Sequence, residues 1–179
     1  MITSKAPVAS AKASSSSTDG TPLGALFEHA LKDMYYAEKK IYKSLPKMIK
    51  AASDPALKKA LMTHREETAE QIEVLEQVFT NIGKRPKAEK CDAIDGILEE
   101  GDGLLEDFGK TGAGDAAIVF SCQAIEHYEI TRYGSMAAFA TALGNTEAAQ
   151  MISGILAQEH AANDSLSQMA EGHINQAAA

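Results

Sequence analysis

Residues Ala124–Tyr133, AIEHYEITRY, set Glu126 and Glu129 three residues apart inside a segment that otherwise reads as a buried helix. Residues three apart share a helix face. Two carboxylates on an apolar face need strong compensation, because burying a charge is expensive. Either the face is not buried, or something positive meets the acids there. The flanking sequence bears on that choice: the apolar stripe Val119, Cys122, Ile130, Tyr133, Ala137, Ala140 predicts one helix from Asp115, as its cap, to about Leu143, where Gly144 stops it. Gly134 and several alanines thin its second half, which predicts a close helical neighbour.

Three more helices of similar length have the same character. Thr21-Pro22 supplies an N-cap and a first-turn proline. From there Leu26, Ala30, Met34, Ile41, Leu45 and Met48 recur at three- and four-residue steps through about Ala52, with Glu38 standing in the stripe. Ser53-Asp54-Pro55 stops that helix and caps the next, and so short a connection implies an antiparallel neighbour. The second helix carries Leu57, Leu61, Ile72, Leu75 and Phe79 and ends near Asn81, with Gly83 as its C-terminal glycine. Its polar interruptions are His64, Glu67 and Gln71. The last long helix runs from about Thr146 to Gly172 on Ile152, Ile155, Leu156, Ala162, Leu166 and Met169, with Glu159 mid-stripe.

Between the second and third long helices lies a connection over residues 83–114, with a short helical pattern from about Asp92 to Phe108. That length crosses a bundle from end to end. The reading is therefore all-α: a four-helix bundle of two antiparallel helical hairpins joined by a long crossover that carries a short extra helix. The bundle domain covers 21–173. Residues 1–20, rich in Ser and Ala and without periodicity, read as a disordered tail, and 174–179 as a frayed end.

Composition agrees and narrows the function. The 179 residues suit one domain, 23% are charged, Trp is absent and only five prolines occur. A net charge of −8 disfavours a phosphate backbone as partner, and the tail offers only Lys5 and Lys12, so a nucleic-acid role is not expected. No apolar run is long enough for a membrane span, no secretory leader is visible, and Cys91 and Cys122 form neither a zinc pattern nor a disulfide framework. A cytoplasmic protein is the expectation.

Every long helix thus puts at least one carboxylate at mid-length on its inner face: Glu38, Glu67, Glu126 with Glu129, and Glu159. Carboxylates brought together must take up protons unless a cation intervenes. Two divalent metals supply about four positive charges, and hard oxygen donors with an imidazole suit iron or manganese. His64 shares a face with Glu67 at the i, i+3 spacing and is a sixth candidate ligand. Of the tyrosines near these acids, Tyr133 and Tyr36 are candidates for hydrogen bonds to ligand carboxylates, Tyr133 the better placed. His127 and His160 each follow a candidate ligand directly and point about 100° away from it on an ideal helix.

Beyond these patterns, the segments LKDMYYAEKKIYKSLPKM, HREETAEQIEVLEQVFTNIG, KCDAIDGILEEG, IEHYEITRYGSM and LAQEHAANDSL resemble the YciE/YciF family of ferritin-like stress proteins over about residues 22–172. The resemblance implies a ferritin-like bundle, a homodimer, and a di-metal centre holding two irons or manganese ions per chain, with Glu38, Glu67, Glu126, Glu129, Glu159 and His64 as ligands. The Glu-x-x-Glu of the third long helix is similar to that of rubrerythrins. The usual Glu-x-x-His is missing: Glu70 stands three after Glu67, and Ala162 three after Glu159. Reaction with oxygen or peroxide, as a ferroxidase- or peroxidase-like oxidoreductase, is the implied function. The alternative is a non-catalytic stress or scaffold protein with a structural or vestigial metal site.

Overall fold

The computed structural model describes residues 20–179, and the tail read over 1–20 lies, apart from Gly20, outside the described residues. Helix α1 spans Pro22–Ala51 and α2 Pro55–Asn81, α3 Asp92–Phe108, α4 Gly114–Ala142 and α5 Thr146–Met169. These elements form a ferritin-like four-helix bundle in which α1 packs on α2, α2 on α5, α5 on α4 and α4 on α1, while α3 lies against α4 and α1.

Local chemistry sets the helix ends. Thr21 Oγ1 accepts from the Gly24 N–H at 3.0 Å, Asp54 Oδ1 from Leu57 at 2.8 Å, and Asn145 Oδ1 from Ala148 at 3.1 Å. Each satisfies an amide that the first helical turn leaves without a partner. Gly83 and Gly144 end α2 and α4 at φ of 72° and 74°, a left-handed conformation that disfavours a side chain.

The crossover runs the length of the bundle, so that α4 begins beside the α1–α2 turn. Asp115, expected as the cap of α4, makes no cap bond. Its carboxylate instead accepts the Ser53 and Asp54 N–H groups at 2.8 and 2.9 Å, tying α4 to that turn. At the opposite end Asn145 donates to Asn81 Oδ1 at 2.6 Å. Helices that pack together are therefore antiparallel all around the bundle, an arrangement in which their macrodipoles oppose.

Helix α3 is held to α1 by Tyr36, whose hydroxyl reaches both oxygens of Asp95 at 3.0 Å, and by Lys40 on the same carboxylate at 3.1 Å. Close approach occurs at Gly101, where a Cβ would stand 3.3 Å from Met48 Cε and 3.4 Å from Ser121 Cβ. In the second half of α4 it is the alanines that meet a neighbour, with Ala140 fully buried and α5 packed along the helix, while a Cβ built at Gly134 itself meets nothing within 4 Å.

Two further expectations need correction. Leu26 is 48% exposed, and Phe27 takes its place in the core with Leu31 and Met34. The end of the chain is not frayed: a π-helical turn over Ala170–Ile174 continues α5 into a last short helix, α6 (Asn175–Ala178), and Ile174 is buried. An apolar side chain packed on the core outweighs the entropy of a loose end.

Asp115→Ala should therefore lower stability. The expected loss is about 2 kcal/mol in urea unfolding, because two backbone donors lose a charged acceptor. A change within about 0.5 kcal/mol would show that the turn does not need this tie.

Candidate metal centre

At mid-bundle five polar side chains converge from four helices. Glu38 (α1), Glu129 (α4) and Glu159 (α5) are fully buried, Glu126 (α4) is 1% exposed and His64 (α2) 7%. Ligand atoms of His64, Glu126, Glu129 and Glu159 lie within 4.8 Å of one another, a group that could hold a metal ion. The helical period puts them there. Glu126, Glu129 and Tyr133 share the inner face of α4, and His64, Thr68 and Gln71 that of α2.

The hydrogen bonds within the cluster are directional but incomplete. Tyr133, fully buried, donates its hydroxyl to Glu38 Oε1 in a short contact. Gln71 Nε2 donates to Glu159 Oε1 at 2.5 Å and to Gln158 Oε1 at 3.1 Å. The Thr68 hydroxyl is satisfied by the His64 carbonyl at 2.7 Å. With the acids ionised, Glu38 Oε2, His64 Nδ1, Gln71 Oε1, Glu126 Oε2, both Glu129 oxygens and Glu159 Oε2 are buried with no partner, and only shared protons join Glu38 to Glu129 and Glu126 to Glu159. A buried polar atom left without a partner costs about 1–3 kcal/mol. So many in one place set this cluster apart from an ordinary buried core.

Electrostatics point the same way. Burial, then the Glu159 carboxylate, raises Glu38 to about 8; burial, then Glu159, raises Glu126 to about 10. Glu129 is driven well above its ordinary value by burial and by Glu38, and burial raises Glu159 as well. Burial alone lowers His64 to about 4, so its imidazole is neutral at pH 7. The His64 Nε2 contact with Glu126 Oε1 at 3.4 Å is therefore one between neutral groups rather than an ion pair. Without a cation, Glu38 and Glu126 stay protonated at pH 7.

The remaining candidates fall outside this group. Glu67 is half-buried at the edge of the cluster, and burial and Glu70 raise its pKa. The Tyr36 hydroxyl belongs to Asp95 and not to a candidate ligand. His127 and His160 are exposed. Gln71 stands out in the sequence only as a polar interruption. Its signal is its position seven residues after His64, which returns to within about 20° of the same line on the helix.

The cluster borders a cleft of about 490 Å³ between α2 and α5, and His64, Glu67 and Glu126 form its polar end. Glu38 and Glu129 do not line it.

A family model described as "Domain of unknown function (DUF892)" matches residues 23–179. The chain belongs to this family. The protein YciF of Escherichia coli (strain K12) is 36% identical over 154 residues, which are 86% of this chain and 93% of that protein. The crystal structure of the E. coli stress protein YciF superposes with a TM-score of 0.82 at 35% identity, covering 88% of this chain and 99% of the other. YcfI from Rhodopseudomonas palustris superposes with a TM-score of 0.80 at 43% identity, covering 83% and 95%. Among the described residues, no helix is long and apolar enough to cross a membrane.

A carboxyl whose pKa is raised on folding stabilises the fold fully below its unfolded value of 4.5. That stability is lost as pH rises through the folded value, here about 8 for Glu38 and about 10 for Glu126. His64, lowered from 6.5 to about 4, acts in the opposite sense and only below about pH 6.5. The melting temperature of the chelator-treated protein should therefore fall between pH 7 and pH 9. A flat profile over that range would mean that the acids are not held protonated.

Proposed function

We propose that the cluster holds two divalent metal ions, iron or manganese, and that the protein reacts there with oxygen or peroxide as part of a stress response. The observation that carries the reading is the convergence of orphaned buried atoms: carboxylate oxygens from three helices and an imidazole nitrogen from a fourth. The donor set fits, since hard oxygens and one imidazole are what such ions take.

In this reading Glu38, Glu126, Glu129 and Glu159 are the buried ligands, His64 supplies the nitrogen, and Glu67 closes the side facing the cleft. Tyr133 orients Glu38 by donating to one of its oxygens, and Gln71 does the same for Glu159. Such outer hydrogen bonds fix which oxygen lone pair faces the ion. The apolar walls above and below keep water from the site. When bound, the metals would supply the redox electrons that no side chain of the cluster can. The carboxyl protons must leave as metal enters, so affinity rises with pH.

The E. coli relative is called a stress protein, which supports the physiological setting. The homodimer belongs to the same proposal. Phe108 of α3 and Phe120 of α4, 44% and 63% exposed, are the large apolar side chains such a contact would cover. Cys91 and Cys122, both free and buried, fit a reducing cytoplasm.

Anaerobic loading followed by metal analysis should find two iron or manganese ions per chain in the wild type and neither in Glu126→Ala. Retention of no metal by the wild type would sink the proposal. Stopped-flow absorption of the ferrous protein mixed with peroxide should then show oxidation. Silence despite bound iron would favour the alternative, a structural site in a non-catalytic stress or scaffold protein.

A further inference from the structure

The α2–α5 cleft is larger than access for oxygen or peroxide requires. Its lining runs along α2 from Ala56 to Glu67, eleven residue steps or about 16 Å of helix. One end is apolar, formed by Ala56, Leu166 and Met169, with Ala60 and Ala162 along the walls. At the other end stand His64, Glu67 and Glu126. A volume near 490 Å³ with mostly apolar walls and a few convergent polar groups is the form of a small-molecule site.

The cleft is more than a gap between small residues, because unpartnered atoms meet it. His64 and Glu126 are 7% and 1% exposed, and their Nδ1 and Oε2 have no hydrogen-bond partner. An occupant with a polar end would be met at this end by His64, Glu126 and the metal they hold in the reading above. The cluster is also lopsided. Glu38 and Glu129 are sealed, whereas the His64–Glu126 side borders the cleft, so a donor from outside the protein reaches the cluster from this direction.

We propose that the cleft binds an elongated apolar molecule with a single carboxylate head, the chain lying toward Ala56 and Met169 and the head at the His64–Glu67–Glu126 end. The choice of a carboxylate rests on the metal reading above: hard divalent ions take oxygen donors, and a carboxylate brings two of them on one head. A cationic head would pair with Glu67 and Glu126 only if no metal were present. The charge of the head thus separates the two cases.

The test is calorimetric titration of octanoate, octylamine and octanol into the full-length protein, metal-free and loaded anaerobically with manganese(II). Octanoate should bind the loaded protein one to one, at least tenfold tighter than octanol and at least tenfold tighter than it binds the metal-free form. Ala162→Phe, on the wall of the cleft, should weaken octanoate at least tenfold while the manganese content stays at the wild-type level. Thr63→Trp, at an exposed position on the rim, is the second blocking variant and should act in the same direction. Octanoate binding that neither variant weakens, or that is no tighter than octanol, overturns the cleft as its site. Binding of octylamine to the manganese-loaded protein more tightly than octanoate overturns the carboxylate assignment. Manganese content, measured on the same samples, reports separately on the metal reading.

Discussion

Four carboxyls from three helices share one water-poor space, and the architecture around them follows from that constraint. An ionised carboxylate taken from water into an apolar interior costs far more than one helix can return. The acids here answer with raised pKa values, and a cation would answer better. Long helices are needed because the site lies at mid-bundle, where apolar turns above and below can close it. Antiparallel packing around the bundle brings the four midpoints to one depth.

The crossover makes the two sides of the bundle different. Helix α3 covers the α1–α4 face, tied down through Asp95 to Tyr36 and Lys40 and packed closely at Gly101. Behind that cover Glu38 and Glu129 are sealed, with Tyr133 fixing Glu38. No comparable element covers α2 and α5 among the described residues, and small side chains there leave the cleft that borders His64 and Glu126. One side is closed and the other borders an opening.

Much of this was legible in the chain. Glu38, Glu126, Glu129 and Glu159 stood in apolar stripes because a mid-helix position on a 3.6-residue period has a definite direction. The antiparallel hairpins followed from Pro55 after Ser53-Asp54 and from Gly144, and the crossover from its length. The departures from expectation have a common cause. A stripe leaves about a turn's width of choice: Glu67 lies about 60° from His64 and falls at the edge, while Gln71 returns to the inner line. Tyr36, two residues before Glu38, points nearly opposite and finds Asp95. Asp115 has the right residue type for a cap, but the neighbouring α1–α2 turn offered its carboxylate two better-placed amides.

The sequence by itself determined the period, the helix ends and the presence of acids at mid-length on each helix, because those are properties of one helix and its own turns. Only the tertiary structure decided which polar atoms meet. It set Tyr133 on Glu38, Gln71 on Glu159 and His64 against Glu126, and it left the last pair beside an opening. Those pairings depend on distances and rotations between helices, which no pattern within a single helix contains.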